Sequence, residues 1–267
     1  MKKRKKYIAG VLLFLLLAGA CSKGDSNINV FSYQDDISLG GKADEEIMKN
    51  SGGYLVLDSI QYATAYEHLY RIRNTILNSG KLKYQTLFPW KMRIIRSDTT
   101  INAFCLPGGY IYIYTGIIKF LDNEAEFAGI LAHEMAHADN RHTTERLTTV
   151  YGIDLLLSFI LGDNPNQLAE IVTGYAEGLG MLAYSRQNEY EADNYAVQYL
   201  YVTEYNAPSL GDFFQKMQNE PRGLTFLNTH PSPEDRLQKI QEAFTSLGGV
   251  PGELFPDRYL QFKNSLP

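Results

Sequence analysis

Cysteine is nearly absent from this chain of 267 residues, which contains only Cys21 and Cys105. This scarcity excludes the class of small secreted domains that several disulfides hold together. Cys21 adjoins an amino-terminal targeting segment, described below, so Cys105 is the one cysteine left for the folded domain. We therefore expect no intramolecular disulfide. We also expect Cys105 to be buried, because it lies in an apolar, strand-like run.

Long apolar runs are missing as well. The run over residues 7–20 has 14 residues, and the run over residues 150–161 is interrupted by Gly152 and Asp154. A helix that crosses a membrane needs about 20 mostly apolar residues. Neither run is therefore expected to span a membrane.

The first apolar run follows the strongly basic residues 2–6, and this order predicts a targeting segment over residues 1–20 that takes no part in the fold. It ends in the letters LAGAC at residues 17–21, which resemble a bacterial lipoprotein signal and make Cys21 the expected lipidation site. An ordinary signal peptide with an incidental cysteine is the alternative. We expect residues 21–35 to form a tether and residues 36–267 to form one domain.

Basic residues are too few to indicate a nucleic-acid-binding protein. The first 20 residues hold five of the 25 basic residues and none of the 30 acidic ones. The rest of the chain therefore has 20 basic and 30 acidic groups, a net charge of −10. This charge argues against nucleic acid, or an anionic membrane surface, as a partner.

The chain has no internal repeat, and in particular no repeated helical unit of about 34 residues. The tail over residues 248–267 is expected to be irregular, and residues 150–182 to form a buried or cleft-covering helix pair. The pattern as a whole predicts an α+β fold, mainly α-helical, with a small sheet. Helices are predicted over residues 59–79, 183–201, 208–217 and 232–247, and strands over residues 91–96, 101–106 and 110–114.

Residues 133–137 carry the HExxH pattern of zinc peptidases, with His133, Glu134 and His137 at its fixed positions. Two histidines four residues apart lie on one face of a helix, so both imidazoles can bind one Zn²⁺ ion. Glu134 lies beside them, where it can take the proton of an attacking water molecule. The alternative is a surface helix with two solvated histidines. The apolar and small residues around the motif argue against it, because a buried histidine pair needs partners.

A catalytic zinc ion needs a third protein ligand. The acidic cluster over residues 189–193 contains Glu189 and Glu191, and spacing alone allows either glutamate to be that ligand. His142 follows His137 by five residues, which is well off the ligand face of the helix. We therefore do not expect His142 to bind the metal.

Four separate motifs make the chain similar to the gluzincin metallopeptidases of the HtpX, CAAX-prenyl-protease and BepA type. The resemblance extends over about residues 37–244 and implies a zincin-like catalytic domain with its small sheet beside the active-site cleft. The motifs are NAFCLPGG at residues 102–109, the HExxH helix with its extension to Arg141 and His142, SRQNEYEAD at residues 185–193, and THPSPEDR at residues 229–236.

The resemblance implies roles for individual residues. Glu189 becomes the third metal ligand, Asp193 orients a ligand histidine, and Glu191 is expected to be solvated. His230 and Arg236 are expected to face the cleft, where both stabilise the oxyanion of the reaction. Alternatively, His230 occupies the open metal position in a resting state, or it only caps a helix.

The segment over residues 101–112 is the candidate edge strand for an extended substrate. Asn102, Gly108 and Gly109 are the expected substrate-binding residues within it. For Asn102 the alternative is that its side chain only fixes the local turn.

Together these motifs predict a zinc-dependent endopeptidase that acts on unfolded or misassembled proteins of the bacterial cell envelope. We expect a lipid anchor at Cys21 and a location at the outer membrane, facing the periplasm. The alternative is a latent zinc protein, capped by His230, that acts mainly as an assembly or chaperone-like factor. A deformylase-type hydrolase would need a cysteine ligand in a glycine-cysteine-leucine segment, and Cys105 follows Phe104 instead.

Overall fold

The computed structural model of the protein describes residues 29–49, 55–176, 183–218, 224–231 and 235–267. The expected targeting segment, Cys21 and most of the expected tether lie outside these residues. The helices are α1 (Tyr33–Lys49), α2 (Ala63–Leu77), α3 (Thr115–Phe120), α4 (Glu124–Asp139), α5 (His142–Tyr151), α6 (Ile153–Leu161), α7 (Pro165–Ala176), α8 (Arg186–Tyr201), α9 (Ser209–Gln218), α10 (Leu224–Thr229), α11 (Arg236–Ser246) and α12 (Pro256–Asn264). The strands are β1 (Lys91–Ile95), β2 (Ala103–Leu106) and β3 (Tyr110–Tyr114).

The three strands form one sheet in the order β1-β3-β2. β1 is parallel to β3, and β2 is antiparallel to β3, with Cys105 opposite Ile111. β2 is therefore an edge strand. The turn from β2 into β3 passes through Gly108 and Gly109, whose φ angles of 75° and 84° are readily adopted only by glycine.

Helix α4 lies at the centre of the domain, and all its residues are buried. It begins after Asn123, whose side chain accepts a hydrogen bond of 3.0 Å from the backbone N–H of Glu126. Alanines and Gly129 let neighbouring elements approach closely, and α8, α9, α2 and β2 pack around it. A helix enclosed in this way can place polar side chains out of contact with bulk water.

Helix α1 crosses the other face of the sheet and packs against α6 and α7. Ion pairs of two buried aspartates hold it there: Asp44 accepts hydrogen bonds from Lys91 and Arg93, and Asp36 pairs with Arg141. The helix pair expected over residues 150–182 is present as α6 and α7, and it covers α1. Residues 177–182, which follow α7, lie outside the described part of the chain, so a lid over the cleft stays a prediction.

The predicted fold class, α+β and mainly helical with a small sheet, is confirmed. Each predicted strand is present within one or two residues of its expected bounds. The prediction of an irregular tail is wrong, because residues 256–264 form α12. Pro256 stands at the start of this helix, and Tyr259 and Phe262 are fully buried against the core. Within the described residues, no helix is both long and apolar enough to span a membrane.

The close contact between α4 and α9 predicts that Gly129 cannot be enlarged. A Cβ atom on Gly129 would lie 2.9 Å from the backbone nitrogen of Leu210. We expect Gly129→Ala to lower the free energy of unfolding by about 1–3 kcal/mol, because backbone cannot move aside as a side chain can. Denaturant unfolding of the purified protein measures this change.

Gly211→Ala is the matched control, because Gly211 also lies in a helix but its Cβ atom would come no closer than 3.5 Å to Leu237. The added methyl group would make only ordinary van der Waals contact, and alanine has a better helix propensity than glycine. The free energy of unfolding of Gly211→Ala should therefore equal or slightly exceed that of the wild type. Equal effects of the two substitutions would contradict close packing at Gly129.

Candidate metal centre

Two buried helices supply the three side chains that the sequence predicted as metal ligands. His133 and His137 lie one turn apart on α4, and Glu189 lies in the first turn of α8. Ser185 fixes the start of α8, since its hydroxyl accepts a 3.1 Å hydrogen bond from the N–H of Asn188, whose side chain bonds back to the N–H of Ser185. The two helices pack directly against each other and bring the three side chains together.

A fourth donor, His230, completes the cluster. His133 Nε2 lies 3.0 Å from His137 Nε2 and 3.2 Å from His230 Nδ1. Glu189 Oε1 lies 3.3 Å from His137 Nε2 and 3.2 Å from His230 Nδ1. Ligand atoms about 2.0–2.1 Å from a tetrahedral ion are separated by about 3.3 Å. All four donor atoms lie within 4.8 Å of one another, so their spacing allows them to share one metal ion.

The charge around the cluster also fits a divalent ion. The side chains of Glu134, Glu189, Asp193 and Arg236 are almost completely excluded from solvent, and so are those of the histidines. Three carboxylates and one guanidinium leave two negative charges uncompensated. Burial of unpaired charge is costly, and a bound cation of charge +2 removes that cost.

The surroundings of His137 and Glu189 favour the protonation states that metal binding needs, whereas the nearby Glu134 and Glu189 outweigh burial and raise the pKa of His230. Burial, with the adjacent His133, holds the pKa of His137 well below its ordinary value, so the ring is neutral at pH 7. Burial alone would raise the pKa of Glu189, but Arg236, His230 and His137 together hold it well below its ordinary value. Neutral imidazole and ionised carboxylate are the forms that bind metals.

His230 also lies between the other three donors and Glu134. Its Nδ1 faces the cluster, and its Nε2 lies 3.3 Å from Glu134 Oε1. Phe226, one turn earlier, stacks on the His230 ring at 4.4 Å between centroids and fixes its plane. His230 therefore occupies the space between the donors and the glutamate that a water molecule or a substrate carbonyl would need.

Asp193 and Arg236 lie behind the donors. Asp193 Oδ1 is 2.9 Å from His133 Nδ1, which is the arrangement expected for a carboxylate that orients a ligand histidine. Arg236 donates through Nε and Nη2 to Asp193, both at 2.7 Å, and its Nη1 lies 2.8 Å from Glu189 Oε2. These contacts differ from the expected oxyanion role of Arg236, because they direct the guanidinium at the carboxylates that surround the donors.

The structure also adds residues that sequence patterns did not single out. Tyr184 stacks on His137 at 3.9 Å between ring centroids. Its hydroxyl lies 2.9 Å from Thr143 Oγ1 and 3.5 Å from Cys105 Sγ. Cys105 is fully buried, as predicted. Tyr184 directly precedes the SRQNEYEAD motif, and only its position against His137 distinguishes it from other core tyrosines.

The expected substrate-binding residues lie beside the two ends of β2, with Asn102 directly before the strand and Gly108 and Gly109 in the turn after it. Asn102 is fully buried, and neither its side-chain oxygen nor its nitrogen has a hydrogen-bond partner in the described part of the chain. A role of this side chain in fixing the turn is therefore not observed. Gly108 and Gly109 pack closely against Ile37 and Trp90, where a Cβ atom would come within 2.7 Å and 3.1 Å. Substrate binding by these three residues stays a prediction.

Removal of the metal ion is expected to destabilise the protein, because the buried carboxylates and histidines lose their common partner. Incubation with a chelator should lower the melting temperature by several degrees, and a stoichiometric divalent ion should restore it. Differential scanning calorimetry, with elemental analysis of the untreated protein, measures both effects. In His137→Ala the chelator should have little further effect. An equal response of His137→Ala and the wild type would argue against this site.

Loss of the Arg236 guanidinium is expected to destabilise the fold strongly. Arg236→Met keeps an apolar side chain on Phe214 but leaves Asp193 without its partner. Breaking a buried ion pair costs about 3–5 kcal/mol. Denaturant unfolding checks this value, and Lys239→Met, at an exposed pair with Asp235, is the control with little effect. A loss below 1 kcal/mol would contradict the structural role of Arg236.

Comparison with known proteins agrees with this geometry. The model of peptidase family M48 matches residues 65–244, which include all four donors. The chain is 30% identical over 185 residues to the β-barrel assembly-enhancing protease of Escherichia coli, covering 64% of this chain and 38% of that protein. It is 26% identical over 259 residues to the putative β-barrel assembly-enhancing protease of Vibrio cholerae, covering 86% and 51% of the two chains.

A mitochondrial relative matches as well. The chain is 30% identical over 159 residues to the mitochondrial metalloendopeptidase OMA1 of Schizosaccharomyces pombe, covering 57% of this chain and 46% of that protein. This chain thus spans about half the length, or less, of the relatives it matches. The family model covers more than half of this chain, and the predicted resemblance is confirmed: the chain belongs to peptidase family M48.

Proposed function

We propose that the protein is a zinc-dependent endopeptidase whose resting state is capped by His230. The observation that supports this most is the cluster of His133, His137, Glu189 and His230, whose donor atoms all lie within 4.8 Å of one another, with Glu134 beside it. Three imidazole nitrogens and one carboxylate oxygen are a donor set that suits Zn²⁺. Membership of a peptidase family supports the reaction class.

A zinc ion at such a site supplies Lewis-acid chemistry, which lowers the pKa of water and polarises a carbonyl group. Glu134 supplies the acid–base chemistry of peptide hydrolysis. It accepts the proton of the attacking water and delivers it to the leaving amine. Burial raises the pKa of Glu134 above its ordinary value, which brings the carboxylate closer to the range in which it can both accept and return a proton.

The remaining site residues position these groups. Asp193 holds His133 through Nδ1, and Arg236 holds both Asp193 and Glu189. This support keeps the ligands in place when His230 leaves. His230 then becomes free to face the developing oxyanion. His133, His137 and Glu189 remain as the three protein ligands of the metal.

The capped arrangement of His230 supports a latent enzyme. A catalytic site keeps one metal position open, whereas a site with four protein ligands is closed. Cleavage therefore requires the His230 side chain to leave this position. The runner-up function, an assembly or chaperone-like factor with a mostly capped zinc ion, rests on this same observation.

We further propose that the substrates are unfolded or misassembled proteins of the cell envelope. Two similar proteins are named for enhancing β-barrel assembly, which is consistent with such substrates. An edge strand, β2, lies against α4, and an extended peptide could pair with it without the recognition of particular side chains. Lipidation of Cys21 would attach the protein to the outer membrane, facing the periplasm.

The role of Glu134 is tested by its amide variant. Glu134→Gln keeps the size of the side chain and leaves the four donors unchanged, so zinc content should equal that of the wild type. Cleavage of an unfolded protein such as casein should fall by at least about 100-fold, because the amide cannot accept the proton. Gel electrophoresis and elemental analysis measure the two quantities. An active Gln variant would overturn the assignment.

The role of His230 is tested by His230→Ala, which opens the fourth metal position. If the cap limits activity, this variant cleaves casein faster than the wild type, by about tenfold or more. If His230 mainly stabilises the oxyanion, the variant is about 100-fold slower. No cleavage by either protein, with zinc bound, would favour the chaperone-like alternative over the peptidase.

A further inference from the structure

The ligand nitrogen of His137 has a partner on the opposite side of the ring. His137 Nδ1 lies 3.0 Å from Nδ1 of His142, which is itself buried. His142 Nε2 lies 3.5 Å from Glu191 Oε2, and the Glu191 side chain is 38% exposed. The three side chains form a continuous polar chain from the donor cluster to the protein surface.

The order of protons along this chain follows from the chemistry of imidazole. A metal ion bound at His137 Nε2 would use the lone pair of that nitrogen, so the proton of the neutral ring would reside on Nδ1. His137 Nδ1–H therefore donates to Nδ1 of His142. The proton of His142 then resides on Nε2, the nitrogen on the side of the Glu191 carboxylate. Only this order avoids two protons between the two Nδ1 atoms, and it is the tautomer that metal binding requires.

A turn places His142 there, against the expectation from helical spacing. Helix α4 ends at Asp139, and Arg141 adopts a left-handed conformation with φ of 63°. Its guanidinium is held by Asp36, in α1. The chain reverses at this residue and returns His142 to the side of His137. Glu191 is consequently paired with His142, and its expected solvation is only partial.

The two ligand histidines of α4 thus have different supports. His133 contacts Asp193 directly, and that carboxylate is enclosed and paired with Arg236. His137 contacts a neutral ring first, and a carboxylate only through it. Hydrogen bonds behind a ligand histidine fix its orientation and raise its basicity. The support of His137 is the one that reaches solvent.

We propose that His142 and Glu191 are positioning residues that orient His137 and set the strength with which the site retains its metal ion. The inference rests on the proposed function, because the proton order exists only when His137 Nε2 holds a metal. His142 is not itself a ligand, since both its nitrogens are directed at His137 and Glu191. Glu191 is the end of this polar chain at the protein surface.

The test is the dissociation constant for Zn²⁺, measured by competition with a chromophoric chelator at fixed pH. His142→Ala should weaken zinc binding by about 10–100-fold, which is the usual effect of losing an outer partner. His142→Asn should recover most of the affinity, because its amide oxygen can accept from His137 Nδ1. Glu191→Ala should weaken binding less than His142→Ala does. The visible absorption of the Co²⁺-substituted protein should change in His142→Ala and much less in His142→Asn.

Two variants serve as controls. Thr149→Ala changes an exposed residue of the same helix as His142, and Glu204→Gln changes a half-exposed glutamate that pairs with Arg258. Neither should change the zinc dissociation constant. If any loss of stability weakened zinc binding, these two variants and His142→Asn would bind zinc more weakly as well. The proposal instead predicts weaker binding only when a side chain of the polar chain His137, His142 and Glu191 loses its partner.

Unchanged zinc affinity and an unchanged Co²⁺ spectrum in folded His142→Ala would overturn the proposal. If His142→Ala does not fold, Glu191→Ala decides, and unchanged affinity in that variant overturns the proposal as well. A wild type that binds no zinc refutes both this inference and the proposed function. A wild type that binds zinc but cleaves nothing refutes only the proposed peptidase activity. The zinc affinities of the variants then still test the positioning role of His142 and Glu191.

Discussion

The structure depends on how charge is compensated inside helix α4 and its neighbours. His133 and Glu134 lie on a helix with no exposed residue, and Glu189 faces them from α8. In water these groups would be solvated at no cost, but in this interior each needs a partner. Arg236 neutralises part of the charge, and a divalent ion would neutralise the rest. We therefore expect the stability of the domain to depend on bound metal.

This requirement explains the organisation of the fold around α4. Gly129 lets α9 approach, and Ser185 starts α8 at the residue that places Glu189 opposite the histidines. The ion pair between Asp36 and Arg141 holds the turn after α4. Each of these contacts fixes the backbone, and a fixed backbone keeps the four donors within 4.8 Å of one another. A loose site would bind metal weakly because the ligands would have to be ordered first.

The position of His230 gives the site a closed form. Phe226 stacks on its ring, while Nδ1 and Nε2 lie between the donors and Glu134. The groups behind the site do not depend on His230, because Asp193 and Arg236 contact His133 and Glu189 directly. In the latent protease proposed above, the His230 side chain has to leave the site, and the proposed variants separate this displacement from the chemistry.

Local pattern alone determined a large part of this protein. The helical period placed His133 and His137 on one face of α4, and alternation placed β3, because both depend on neighbours along the chain. Spacing did not distinguish Glu189 from Glu191; motif resemblance did, and the structure places Glu189 among the donors. Tertiary structure alone decided the rest. His142 meets His137 because a left-handed Arg141 reverses the chain, Arg236 faces carboxylates because α11 packs on α8, and α12 forms because the core receives Tyr259 and Phe262. Contacts between segments distant in sequence follow from burial and packing in three dimensions. The periodicity of a local stretch of sequence does not predict them.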